Sequence, residues 1–146
     1  MLFNRHIFSE GQKKALVKAI TEAEDLTSGE IRVHIESKCP VDPVVRATEV
    51  FRKLEMDKTA QANGVLIYIA YKDRKFAIIG DKGINTVVPA NFWEGTKEVM
   101  REHFKRGEFF EGAVFAIRET GEHLKQYFPH TGNQQNQLPN DISEGK

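Results

Sequence analysis

The sequence predicts an α/β fold in which a small mixed β-sheet is sandwiched between about four α-helices. The first observation is a strict alternation of polar and apolar residues over residues 30–36, which is typical of a β-strand. The second is a pair of largely apolar runs, at residues 65–71 and 75–79, whose short polar connection predicts an antiparallel hairpin. The third is the amphipathic spacing of the segments around these strands, which places helices on the faces of the sheet.

The predicted helices have recognisable starts and stops. Ser9 and Gln12 have the spacing of a capping box, and Asp42 followed by Pro43 is typical of a helix N-terminus. Apolar residues at helical spacing continue from each start, and Gly107 ends the third helix. We therefore expect helices at residues 9–25, 42–56, 89–106 and 110–127, and a short fourth strand near residues 86–88.

The length of 146 residues fits a single domain with its own hydrophobic core. We expect this domain over residues 1–128. Residues 129–146 are rich in Asn, Gln, Gly and Pro, a composition too polar to pack alone, so they predict a flexible C-terminal tail. Within this tail, Leu138 and Ile142 are the candidates for contact with the domain.

The charge balance limits the partners that the protein can have. Lys plus Arg and Asp plus Glu both number 21, so the chain lacks the positive excess that nucleic acid or an anionic membrane surface requires. No apolar run is long enough to span a membrane, and the N-terminus has no signal-peptide pattern. The single cysteine, Cys39, cannot form an internal disulfide. We therefore expect a cytoplasmic monomer.

The expected topology brings distant polar residues to one edge of the sheet. A right-handed crossover makes the first two strands parallel, and the hairpin makes the third strand antiparallel to them. The beginnings of the first two strands therefore meet the end of the third. Carboxylate and amide oxygens at this edge suit a hard cation such as Ca²⁺, which takes about six to eight oxygen ligands. The candidate ligands are Asp81, Glu94, Glu30, Asn63 and Asn85.

These residues also have ordinary structural interpretations. Asp81 suits an Asx turn, and Glu94 suits the first turn of a helix. The opposite edge, at residues 37–42 and 72–74, has side chains typical of solvated turns and is the second choice for a ligand site. The histidines lack the spacing of a zinc site and are expected at the surface. Cys39 is expected to be a loop thiol rather than a nucleophile.

Four stretches of the sequence are similar to the TPM domain. They are TSGEIRV at residues 27–33, NGVLI at residues 63–67, FAIIGDKG at residues 76–83 and FKRGEF at residues 104–109. This domain occurs in thylakoid-lumen photosystem-repair proteins, in a nematode acetylcholine-receptor modulator and in many bacterial proteins. The resemblance implies a sheet between helices and a divalent cation, calcium first and magnesium second, at an acidic edge. Gln61 and Ala62 stand where the family often has an aspartate.

Three functions remain open at this point. The first is a binding or regulatory module that holds a divalent cation. Because plant members of the family are described as acid phosphatases, the second is a metal-dependent phosphatase, in which the cation polarises the phosphoryl oxygen of a monoester. The sequence has no phosphate-binding glycine loop and no nucleophile motif, which favours the binding module. The third is a metal-independent protein-interaction domain that uses an exposed helix face.

Overall fold

The computed structural model describes residues 7–132 and 136–145. In chain order its elements are α1 (Glu10–Glu24), β1 (Glu30–Glu36), α2 (Pro43–Lys53), a 3₁₀ turn (Met56–Lys58), β2 (Gly64–Ala70), β3 (Lys75–Gly80), α3 (Lys82–Asn85), α4 (Glu94–Lys105), α5 (Phe109–Leu124) and β4 (Ser143–Glu144). The strands form one mixed sheet in the order β3-β2-β1-β4, so the predicted α/β fold is confirmed. No helix in the described ranges has the length and apolar character needed to cross a membrane.

Local sequence signals explain where the first two helices begin. The Gln12 backbone N–H donates to Ser9 Oγ, and the Ser9 N–H donates to Gln12 Oε1, both at 3.0 Å. This reciprocal pair confirms the predicted capping box. At the start of α2, Asp42 accepts the Val44 N–H at 2.8 Å. Both side chains satisfy N–H groups that the first turn of a helix leaves without an internal partner.

The pairing of the strands follows the expected topology. β1 is parallel to β2, with Glu30 opposite Gly64. β2 is antiparallel to β3, with Val65 opposite Gly80. The beginnings of β1 and β2 and the end of β3 therefore lie at the same edge of the sheet.

A different set of elements buries each face of the sheet. On one face, apolar residues such as Val33 and Ile67 belong to a core shared with α1, α4 and α5. On the other face, Leu66 and Tyr68 lie in a second core with α2. This burial on both faces explains why β2 is a continuous apolar run.

The polar face of β1 is buried, although the alternation of polar and apolar residues predicts that it is exposed to solvent. All seven residues of β1 are buried, including Arg32 and His34. α2 and the C-terminal segment cover this face, and their side chains supply polar partners for it. The expectation of a surface histidine is therefore wrong for His34, whose exposed fraction is only 5%.

Residues 136–145 lie against the domain, in contrast to the expected flexible tail. β4 pairs in parallel with β1 at the edge of the sheet. Leu138 and Ile142, the two candidates for contact, are both buried. The segment packs because β1 offers polar partners as well as an apolar surface, for example Arg32, which donates to the Asp141 carboxylate at 3.2 Å. Composition alone does not reveal such partners.

The segment between β3 and α4 forms helical turns rather than the short strand expected at residues 86–88. Asp81 caps the helix α3, which has four residues. The N–H groups of Val87 and Val88 both donate to Ile84 O, at 3.0 and 3.1 Å, so they are not available for a sheet. β4 supplies the fourth strand instead. α4 begins at Glu94, later than expected.

Candidate functional site

The edge predicted to hold a ligand is formed by residues 28–30, 61–64 and 80–85, and we name it the Asp81 edge. Backbone hydrogen bonds link the three segments of this edge. The Glu30 N–H donates to Asn63 O at 3.3 Å, and the Asp81 N–H donates to Gly64 O at 2.9 Å. Residues that are far apart in sequence are therefore joined by the sheet itself.

Asp81 holds its carboxylate in a fixed position at the end of β3. One oxygen, Oδ1, accepts the Lys82 N–H at 2.8 Å and caps α3. The other oxygen, Oδ2, is buried and has no hydrogen-bond partner among the described residues. A buried oxygen of this kind costs about 1–3 kcal/mol of stability unless another group or an ion satisfies it.

Backbone carbonyl groups of the loop before β2 approach the same helix. The Gly83 N–H donates to Ala62 O at 2.9 Å. A Cβ at position 83 would collide with the carbonyl oxygens of Gln61 and Ala62, so only glycine allows this close approach. The side chain of Gln61 donates to Ser28 Oγ at 3.2 Å and ties the loop to the start of β1.

The two asparagine candidates lie at this edge with different exposure. Asn63 is buried, and its side-chain Nδ2 donates to Ser28 Oγ at 3.2 Å. Asn85 is exposed, and its Nδ2 donates to Gly80 O at 3.0 Å. Each amide nitrogen is thus used in the protein, which leaves the amide oxygen as the atom available for a cation.

Glu30 lies in a separate cleft of about 220 Å³ at the same edge. Its Oε1 accepts the Leu138 N–H at 2.9 Å, and burial raises the pKa of its carboxyl group. Glu24 lines the same cleft and accepts the Ile31 N–H at 2.8 Å. Burial raises the pKa of Glu24 to about 7, and the charge of Glu30 adds to the effect. Glu24 is not among the predicted ligands, although its place in the last turn of α1 puts it near this edge.

The five candidate ligands therefore do not all lie together. Asp81 and Asn85 lie together around Gly80, while Glu30 and Asn63 lie together where β1 and β2 begin. Glu94 is exposed at the first residue of α4, and no described hydrogen bond or ion pair joins its carboxylate to the others. Within residues 7–132 and 136–145, no three His, Cys, Asp or Glu side chains are grouped so that they could hold a metal ion.

The opposite edge of the sheet has a cleft of about 340 Å³, lined in part by Glu36, Ser37, Tyr71 and Lys72. Cys39, from the loop beside it, is fully buried, and its Sγ donates to Val41 O at 3.1 Å. This loop thiol is therefore enclosed within the fold.

A buried polar network lies beneath that edge. Glu36 accepts hydrogen bonds from Arg46 at 2.8 and 2.9 Å, from the Tyr68 hydroxyl, and from the His34 ring at 3.1 Å. Burial alone would raise the pKa of Glu36, but these partners outweigh burial and lower the pKa to about 2. Burial lowers the pKa of His34, so its ring is neutral near pH 7. The other ring nitrogen lies 2.9 Å from Ser143 Oγ, so both nitrogens of the ring have a partner.

Comparison with known proteins identifies relatives of this chain. A family model described as the TPM domain matches residues 3–123. The solved BA42 protein from the psychrophilic bacterium Bizionia argentinensis sp. nov. is 45% identical, with a TM-score of 0.91 over 99% of this chain and 100% of that chain. No curated protein matches.

Two more distant structures have the same fold. The N-terminal domain of a P. gingivalis protein has a TM-score of 0.70 at 14% identity, over 90% of this chain and 85% of that one. The N-terminal domain of the cg2496 protein from Corynebacterium glutamicum has a TM-score of 0.65 at 12% identity, over 88% and 85% of the two chains. Because the family model covers most of the sequence, this chain belongs to the TPM domain family.

Proposed function

We propose that the Asp81 edge binds a divalent cation, with calcium preferred over magnesium, and that the domain acts as a binding or regulatory module. The observation that carries this proposal is the Asp81 Oδ2 atom, which is buried without a partner among the described residues. The other carboxylate oxygen is fixed by the cap of α3, so Oδ2 is already oriented. A cation beside it would satisfy an acceptor that the fold otherwise leaves unpaired.

The remaining ligands would be neutral oxygens. Gln61 O and Ala62 O approach α3 closely, and Asn85 offers an amide oxygen beside Gly80. Calcium accepts backbone carbonyls, amides and water in a flexible geometry, whereas magnesium requires a near-ideal octahedron and retains more of its water. This donor set therefore favours calcium. A site with one carboxylate should be weak, with a dissociation constant on the order of 10⁻⁴ to 10⁻³ M.

The other candidate residues have supporting roles in this proposal. Asn63 ties the loop before β2 to Ser28, and Glu30 ties the C-terminal segment to β1 at Leu138, through bonds that they already make. The exposed carboxylate of Glu94 adds negative charge at the N-terminus of α4.

A titration of the ¹⁵N-labelled protein with CaCl₂ and MgCl₂ tests the proposal. Asp81→Asn removes the charge but keeps a helix cap, and Asp42→Asn is a matched control because Asp42 caps α2 at the opposite edge. We expect calcium to shift the amide signals of residues 61–64 and 80–85. Asp81→Asn should abolish these shifts, whereas Asp42→Asn should leave them unchanged.

Other results would point to other functions. Shifts confined to residues 37–42 and 72–75 would place the ligand at the opposite edge. If no shift appears at about 20 mM calcium, well above the expected dissociation constant, the metal-independent interaction domain is favoured. Turnover of p-nitrophenyl phosphate that is lost both with EDTA and in Asp81→Asn would extend the proposal to a phosphatase.

A further inference from the structure

β3 leaves one side of its backbone without a strand partner in the described part of the chain. It is an edge strand and pairs with β2 alone. Bonds in an antiparallel pair fall on alternate residues, and the Asp81 N–H bonds to Gly64 O just beyond the end of β3. By that alternation, the N–H and C=O groups of Phe76 and Ile78 point away from β2. Gly80 points the same way, but its carbonyl accepts the Asn85 side chain. Phe76 and Ile78 are therefore the two residues of β3 whose outward N–H and C=O groups both lack a partner among the described residues.

A groove of about 390 Å³ lies along this edge. α2 borders it with Val44, and α4 borders it with Lys97 and Arg101. Val44 is apolar but 52% exposed. The Phe76 ring lies 5.9 Å below the Arg101 guanidinium and stacks edge-on against Phe104. An edge strand with free backbone groups can accept an added strand, and the side chains that border it can select the partner.

The groove is positively charged. Arg74, Lys75, Lys97 and Arg101 line it, and no aspartate or glutamate of the described residues does. Arg74 and Lys75 donate to backbone carbonyl oxygens rather than to carboxylates, so neither is paired with a full negative charge among the described residues. Of the four cations, Arg101 alone has a carboxylate partner within the described ranges, Glu98 at 3.2 Å. An anionic partner is therefore favoured here although the whole chain has no net charge.

We propose that this groove binds an extended, acidic segment of a partner protein, which adds to β3 as a further strand of the sheet. Backbone hydrogen bonds to Phe76 and Ile78 hold the segment, and its carboxylates face the lysine and arginine side chains. Its apolar residues alternate with the acidic ones and cover Val44. A second copy of this chain is a poorer occupant, because pairing two β3 edges would bring two sets of cations together.

An array of octapeptides provides the probe. In each peptide Asp or Glu alternates with Val, Ile, Thr, Phe or Tyr, and each has a counterpart with lysine in place of the acidic residues. The full-length protein is bound to the array, and the tightest acidic peptide is then titrated against ¹⁵N-labelled protein. Lys97→Glu/Arg101→Glu reverses the groove charge on α4. Lys14→Glu/Lys18→Glu is the matched control, because both lysines are exposed on α1, away from the groove.

The expected result has three parts. Acidic peptides bind in preference to their lysine counterparts, and the amide signals of Phe76 and Ile78 shift. The groove variant loses about tenfold or more in affinity, whereas the control variant changes by less than about twofold. A peptide N-methylated at alternate residues binds at least about tenfold more weakly, because it cannot form the backbone bonds.

Several results would overturn the proposal. They are equal binding of acidic and basic peptides, equal losses in the two variants, shifts that avoid β3, and undiminished binding of the N-methylated peptide. A dimer seen by sedimentation and lost in Lys97→Glu/Arg101→Glu would assign the edge to a second copy instead. These measurements are made without calcium, so their outcome is independent of the cation site.

Discussion

The Glu36 carboxylate accepts two hydrogen bonds from the Arg46 guanidinium, from Nε at 2.8 Å and from Nη2 at 2.9 Å. This pair joins the end of β1 to α2 across one face of the sheet. The Glu36 side chain is only 5% exposed, so its charge depends on protein partners rather than on water. The pair therefore fixes α2 against the sheet.

Removing the Arg46 guanidinium should destabilise the fold strongly. In Arg46→Met, the Glu36 carboxylate stays buried without its main partner, so we expect the free energy of unfolding to fall by about 3 kcal/mol. Arg52→Met is the matched control, because Arg52 is exposed on the same helix. Urea denaturation of both variants measures the difference. A loss below about 1 kcal/mol in Arg46→Met would show that water replaces the guanidinium.

The pH dependence of the free energy of unfolding should reveal the raised pKa of Glu24. Its pKa is raised from 4.5 to about 7, chiefly by burial, so folding favours the protonated form. The resulting stabilisation is complete below the unfolded pKa and is lost as the pH rises through the folded pKa. The shift corresponds to at most roughly 3 kcal/mol, less whatever solvent screening removes. Glu24→Gln should remove this loss between about pH 5 and pH 8, and Glu22→Gln, on the exposed face of α1, should keep it.

The sequence predicts the backbone at the Asp81 edge better than its side chains. A parallel crossover and a hairpin determine which strand ends meet, so the gathering of Glu30, Asn63 and Asp81 at one edge follows from strand order alone. The direction of each side chain depends on partners far away in the chain. Glu30, for example, binds the backbone of Leu138, and no local pattern reveals that contact.

Partners far away in the chain also explain the burial of β1. Alternation of polar and apolar residues is typical of a strand with one solvated face, and it does identify the strand. The polar face is nevertheless buried, because Arg46 and Asp141 come from distant segments to pair with Glu36 and Arg32. Sequence patterns report periodicity, but they do not report which later segment will cover a face.

Removal of the C-terminal segment should change the titration of His34. Burial lowers the pKa of this ring, and its Nδ1 lies 2.9 Å from Ser143 Oγ. A chain ending before Ser143 loses β4 alone, and a chain ending before Asn136 also loses the buried Leu138. We expect the His34 pKa to rise toward its usual value of about 6.5 in the shorter chain and to rise less in the longer one.

Titration of the His34 ring signals by NMR measures both pKa values. The intact protein is the reference, and urea denaturation shows whether each shortened chain remains folded. If both chains keep the low pKa of the intact protein while folded, the burial of His34 does not depend on the C-terminal segment. That result would contradict the conclusion that the C-terminal segment covers the polar face of β1.

Two glycine-to-alanine substitutions test how the position of the backbone at the Asp81 edge affects stability and calcium binding while the charge of Asp81 is unchanged. At Gly83, an added Cβ would collide with the carbonyl oxygens of Gln61 and Ala62, so the loop must move away from α3. At Gly95, no atom lies within 4 Å of an added Cβ, so the same change meets open space. We expect Gly83→Ala to lower the free energy of unfolding by about 1–3 kcal/mol. Gly95→Ala, within α4, should raise it by up to about 1 kcal/mol.

The calcium response of the two variants completes this test. Asp81 itself is unchanged in both, so a weaker response in Gly83→Ala would arise from displaced carbonyl oxygens. We expect calcium to stabilise the wild type and Gly95→Ala by about 1.4 kcal/mol at ten times the dissociation constant, because only the folded state binds the ion. Gly83→Ala should show less than half of that stabilisation in urea denaturation at the same calcium concentration. An undiminished response in a folded Gly83→Ala would exclude the carbonyl groups of residues 61–62 from the ligand set.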